Sequence, residues 1–235
     1  MANPTVLQNA LWGKETTPGT PPASVTKYLG GLSVSFAPQS GDAEPFRPEG
    51  SKFATFVVPS GTEYTQINLS GTPTYNELAY LFCGLFKTVT PTGTTAKTWA
   101  FSPSYNAVDT RTTYTIDRGT TSRAERVSYA SMTGLSLTFR RQNIEMSGTM
   151  IGYAVSDTAG ISGSPSAVAL KPLLGKDVTF YLEDAQTDLA SATAQTSIFQ
   201  VELNFTDTQG PVWIPKKAQT GFKELVDYAP TFSGS

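Results

Sequence analysis

Apolar side chains recur at every second position in several stretches of this chain, with small polar residues between them. In GLSVSFAP, Leu32, Val34 and Phe36 alternate with serines, the spacing of a half-buried strand. In EYTQINLSG, Thr65, Ile67 and Leu69 share one face, while Tyr64, Gln66 and Asn68 share the other. TGLSLTFRRQNIEMSGTMIG reads as a hairpin, with Leu135, Leu137 and Phe139 before a turn at Gln142-Asn143 and Ile144, Met146 and Met150 after it. DVTFYLED predicts a strand with Val178, Phe180 and Leu182 inward, and SIFQVELNFTD one with Phe199, Val201, Leu203 and Phe205 facing one way. With KFATFVV, KTWAFSP, RTTYTIDRG and ERVSYA, the pattern predicts about nine or ten strands.

A helix is predicted over about 75–84. Thr74-Tyr75-Asn76-Glu77 follows Pro73 as a capping box, in which the Thr hydroxyl and the Glu carboxylate satisfy free amides of the first turn. Leu78, Leu81, Phe82 and Leu85 then recur three and four apart, and Gly84 is placed to end the helix. Cys83, the chain's one cysteine, reads as a small packing residue on it.

The rest of the chain is turn-rich. Residues 1–26 carry Pro4, Pro18, Pro21 and Pro22 and no apolar periodicity, so they read as an extended N-terminal arm with Trp12 as its only large apolar anchor. Residues 27–235 read as a single mainly β domain, a β-sandwich or half-barrel with one flanking α-helix and long loops. The loop at about 38–51 is long and carries Asp42, Glu44, Phe46 and Arg47, a decoration that suits contacts better than simple closure. Ser156 to Val168 and Ala185 to Thr196 read as polar loops, and Thr231 to Ser235 as a turn into one more strand.

Composition narrows the chemistry. The 235 residues include 34 Thr and 22 Ser but no His, and only 15% are charged. Without histidine there is no His-based triad and no His-ligated zinc, and one cysteine forms no intrachain disulfide or metal cluster. A net charge of -2, with no Lys/Arg run, disfavours a basic nucleic-acid binder. Nucleophile-elbow, phosphate-loop and dinucleotide motifs do not occur. Carboxylate pairs such as Glu183-Asp184 with Glu202 read as solvated strand positions, and Asp184 with Asp188 lacks the dense ladder of a calcium loop. The expectation is a soluble protein, made in the cytoplasm, with no enzymatic activity, cofactor, metal or membrane span.

The order of several motifs resembles that of bacteriophage major tail proteins, the tail tube subunits. They are WGKETTPGTP at 12–21, YLGG at 28–31 before a first strand, TWAFSP at 98–103, TYTIDRG at 113–119 and MTGLSLTFRRQNIEMSGTMIG at 132–152. The resemblance implies a tail-tube-like fold, with hexameric rings stacked into a hollow tube through which double-stranded DNA passes without sequence-specific binding. It implies a place in the virion, with further copies of the chain and the tape-measure, terminator and baseplate proteins as partners. In that setting the arm and the long loop reach neighbouring subunits, with Trp12, Pro18, Phe46 and Arg47 as interface candidates. Glu145, Thr149, Gln200 and Glu202, opposite the apolar positions of their strands, become candidates for the lumen wall. A neutral or acidic wall suits DNA passage, because Lys and Arg would hold phosphates. A different class, a carbohydrate-binding or adhesin-like β-sandwich, would instead present aromatics such as Tyr105, Tyr114 or Trp213 on a flat face.

Overall fold

The computed structural model describes residues 8–41, 49–50, 52, 61–94, 97–102, 109–169, 171–182, 191–214 and 221–235. The chain is mainly β with a single α-helix among these residues. Its strands are β1 (Asn9–Lys14), β2 (Lys27–Tyr28), β3 (Leu32–Ser40), β4 (Glu63–Gly71), β5 (Tyr114–Gly119) and β6 (Ala124–Arg140). They continue with β7 (Ile144–Gly152), β8 (Ser156–Thr158), β9 (Ser166–Ala167), β10 (Gln200–Val212) and β11 (Glu224–Gly234), and helix α1 (Tyr75–Leu85) lies between β4 and β5.

The 17-residue β6 belongs to two sheets. Its first part pairs with β5 and β8, giving the order β9-β2-β1-β5-β6-β8. Its second part pairs with β7 and β10, giving β3-β4-β7-β6-β10-β11. ERVSYA and TGLSLTFRR, which read as separate strands, are therefore one. Near the end of the first, Tyr129 has φ of 55°, and the pairing with β7 shifts between Met132 and Gly134. Both sheets feed one core, in which Trp12, Tyr114, Ile116 and Val127 meet Leu32, Ile67, Leu137, Met146 and Met150.

Helix α1 starts as its residues predict. The Thr74 hydroxyl accepts from the Glu77 amide at 3.3 Å. The fully buried Glu77 carboxylate turns elsewhere than to a first-turn amide: it accepts from the Thr74 hydroxyl at 2.8 Å and from the Gly31 amide at 2.9 Å, tying the helix to the entry of β3. Gly84 does not end the helix, which runs to Leu85 and closes with the Phe86 amide on the Phe82 carbonyl. Gly84 instead permits close approach, since a Cβ there would lie 3.0 Å from Met132 Cγ and 3.2 Å from Tyr114 Cε2.

Further expectations are corrected. The reading of 1–26 as an arm fails at Asn9–Lys14, which pairs with both β5 and β2. Trp12, 1% exposed, packs edge-on against Tyr114 at 5.5 Å in its own chain's core, so it does not dock on a neighbour. KTWAFSP is not a strand; Thr98 makes only an isolated bridge to Thr92, while Phe101 packs on Phe82 and Phe86. DVTFYLED is not a strand either: a 3-10 turn at Gly175–Asp177 precedes it, Phe180 packs edge-on against Phe139, and Leu182 is 66% exposed. Residues 231–234 are strand, the end of β11, because β10 offers them a pairing edge. The loop Ser156 to Val168 also carries the short β8 and β9. KFATFVV and most of the 38–51 loop, with Phe46 and Arg47, lie outside the described residues.

Trp12→Ala is expected to lower the stability of the isolated chain by about 3 to 5 kcal/mol, as a core truncation. Chemical denaturation at low protein concentration checks this, and an unchanged midpoint would show that the indole is not core.

A second expectation concerns alkali. Burial holds the Tyr114 phenol well above the usual value near 10.0, and burial likewise raises Tyr80, Tyr129 and Tyr153. The unfolded chain loses these protons first, so the contribution is whole below about pH 10 and is lost as pH rises beyond it. The denaturation midpoint should fall above about pH 10, and less steeply in Tyr114→Phe. That variant also loses the 2.6 Å bond to the Tyr80 carbonyl, a cost of about 1 kcal/mol.

Candidate functional site

The sheet β3-β4-β7-β6-β10-β11 has two chemically opposite faces, and cross-strand register shows how they arise. Directly opposed residues in an antiparallel pair point to the same side. One line across all six strands therefore reads Ser33, Ser70, Ser147, Ser136, Asn204, Ser233. The next reads Ser35, Asn68, Thr149, Gly134, Thr206, Thr231. A third, shorter line places Glu145, Thr138 and Glu202 side by side. The alternate positions, such as Val34, Leu69, Met146, Leu137 and Leu203, turn to the core.

The polar face is small in side chain and low in charge. Its charged groups near the β6 end are Glu145, Glu202 and Arg140. Arg140 donates to the Gln200 amide oxygen at 3.2 Å and stands 3.7 Å from Glu145. Glu145 accepts from Asn143 at 2.8 Å and Glu202 from Asn204 at 3.1 Å, so each carboxylate is held by a neutral amide beside it. The Thr133 and Thr149 hydroxyls meet at 3.0 Å. At the centre, Gly134 leaves an open hollow of about 310 Å³ bordered by Asn68, Ser136, Ser147, Thr149, Asn204 and Thr206. A Cβ at Gly134 would come within 2.9 Å of the Thr149 hydroxyl.

The four lumen candidates, Glu145, Thr149, Gln200 and Glu202, thus share this face. Trp12 is core, Pro18 is exposed in the Thr17–Thr20 turn, and Phe46 and Arg47 lie outside the described residues. The serines and threonines of β3, β4, β6 and β11 complete the face and were not singled out from the sequence. Their signal is the polar half of the alternation already used to find the strands.

Tyr114 is buried, which removes it from any flat aromatic face, and Trp213 packs against Tyr64 and Phe222 with its indole nitrogen buried. Tyr105, Glu183, Asp184 and Asp188 lie outside the described residues. Among the described residues no group of three His, Cys, Asp or Glu side chains could hold a metal ion, and no helix is long and apolar enough to cross a membrane. A scan against protein-family models finds no match, and a search of curated proteins finds none either.

The sidedness has a direct check. Ser136→Ala should leave stability within about 0.5 kcal/mol, whereas Met146→Ala, on the adjoining strand but the other face, should cost about 2 to 5 kcal/mol. Equal losses would mean that both faces are packed.

Proposed function

We propose that this chain is a structural subunit of a hollow tube, a tail-tube protein whose polar sheet face lines the passage for double-stranded DNA. The observation that carries the reading is the pair of lines across six strands that hold only Ser, Thr, Asn and one Gly, with an apolar reverse face. A conduit for a polyanion needs a wetted wall without clustered cations, and Arg140, the one arginine on the described strand positions of this face, is engaged by Gln200 and Glu145.

The edges of the same sheet support closure into a ring. Among the described residues, β3 pairs only with β4 and β11 only with β10. Every pairing between them is antiparallel, so over six strands the two edges run in opposite directions. Rotation about an axis parallel to the strands keeps each copy's direction, so β11 of one copy meets β3 of the next antiparallel. Such a heterologous contact closes when the rotation is an integer fraction of a turn, and it consumes edges that otherwise template uncontrolled pairing. Pro38 in β3 fits an edge strand, where a missing amide is tolerated. Hexameric rings, their stacking, and the tape-measure, terminator and baseplate proteins as partners follow from the resemblance of the motifs to tail tube subunits.

Electron microscopy of the purified chain at increasing concentration tests the reading. Rings or tubes with an open centre are expected, and a persistent monomer would overturn it. Glu145→Lys with Glu202→Lys should still give rings. These rings should retain double-stranded DNA at low salt and release it as salt rises, which the unsubstituted rings do not do.

A further inference from the structure

Away from the polar face, α1 and the edge formed by β1, β2 and β5 enclose an open-mouthed cavity of about 430 Å³. Its inner surface is apolar and aromatic. Tyr114 and Cys83 are buried at 2% and 7%, and Tyr80 and Trp99 also line it. Register explains its cationic mouth. Lys27 lies opposite Trp12, and Lys14 lies opposite Tyr114, so both lysines stand on the sheet face that carries the core. They are the positions where that face runs out from beneath the helix, and both line the cavity. Lys27 Nζ donates to the Ser166 hydroxyl at 3.3 Å, and neither ammonium has a carboxylate partner among the described residues.

We propose that this cavity is a binding site for a small amphipathic anion. An aromatic or aliphatic body rests against Tyr80, Trp99 and Cys83, and a carboxylate or sulfonate sits between Lys14 and Lys27. The volume falls in the range of ordinary small-molecule sites, which are mostly apolar with a few placed polar groups. Two uncompensated ammonium groups at the rim of an aromatic pocket select charge, while the pocket itself selects an apolar body. The site is independent of tube formation.

The test uses the whole chain and two fluorescent probes of the same body. One is 1-anilinonaphthalene-8-sulfonate, and the other is N-phenyl-1-naphthylamine, which lacks the sulfonate. The sulfonate is expected to bind at one site and more tightly than the neutral probe. Lys14→Gln with Lys27→Gln should weaken the sulfonate by about three- to tenfold, the scale of two exposed charge pairs, and leave the neutral probe unchanged. Cys83, the chain's single thiol, supplies a readout at the cavity itself. Saturating sulfonate should slow its alkylation by iodoacetamide, and Trp99→Ala should weaken both probes. Sulfonate binding that ignores the two lysines and leaves Cys83 alkylation unchanged would overturn the proposal, as would the absence of saturable binding.

Discussion

The architecture depends on how one strand changes sheets. Around Tyr129, with φ of 55°, the register of β6 on β5 shifts; that pairing ends at Ala130, and pairing begins with β7 at Ser131 and with β10 at Gly134. A bulky residue in the left-handed region costs on the order of 1 kcal/mol or more and leaves its amide outside the regular ladder. That amide donates to Glu15 at 2.9 Å. The same buried carboxylate accepts from the Thr113 and Thr115 hydroxyls at 2.7 Å each and from the Gly19 amide at 2.8 Å. Burying a carboxylate without a cation is expensive unless its oxygens are filled, and here four donors fill them. One side chain at the end of β1 thereby fixes β5, the bend of β6 and the turn at Gly19. The next irregularity, between Met132 and Gly134, has its own clamp. Gln209 donates to the Met132 carbonyl at 3.1 Å and to Asp207 at 2.7 Å, and Asp207 is ion-paired with Arg111.

This bend lets the chain separate two tasks. Trp12, Tyr114 and the inner face of the six-stranded sheet share one core beneath α1, so burial energy is concentrated on one side of that sheet. The other side is released from any packing duty. Serine, threonine and asparagine can occupy it in register, because their strand partners one residue away already supply the apolar area. The hydroxyl faces need no buried partner, and Thr is itself a good strand former. The clamp at Glu77 extends the logic to the helix, whose first turn is pinned to Gly31 just ahead of the edge strand β3.

Much of this is legible in the residues. Where one face is core and the other solvent, alternation marks the strand, as in β3, β4, β7 and the second half of β6. Thr74 and Glu77 announce the helix start because a capping box is a local device. Reading fails where burial is not one-sided. Leu11 and Trp12 are adjacent and both buried, on opposite faces of β1, so that strand shows no alternation and passes for an arm. The bend at Tyr129 shifts the phase of the pattern and splits β6 into two apparent strands. TWAFS and VTFYL carry strand-forming residues, yet they make only isolated bridges at Thr98 and Tyr181, while Phe101 packs on Phe82 and Phe180 on Phe139. Of the polar face, the β7 and β10 positions were visible. The rest required knowing which strands are neighbours, information that lies in long-range register and not in any local spacing.

Charge is the remaining constraint, and it links fold to the proposed role. A chain with 15% charged residues has few to spend, and among the described residues four buried carboxylates (Glu15, Glu77, Asp117 and Asp207) serve the interior. Asp117 is matched by a bidentate Arg126 at 2.7 Å on both oxygens, which raises that guanidinium's already high affinity for its proton. Arg111 and Arg126 are thus committed to structural pairs, and Arg140 to Gln200 and Glu145. Among the described residues, the strand positions of this sheet face carry one cation, Arg140, which is held by Gln200 and Glu145, and the hydroxyls stay hydrated at little desolvation cost. On the proposed reading, the same allocation that satisfies the buried carboxylates also leaves the passage wall smooth to DNA.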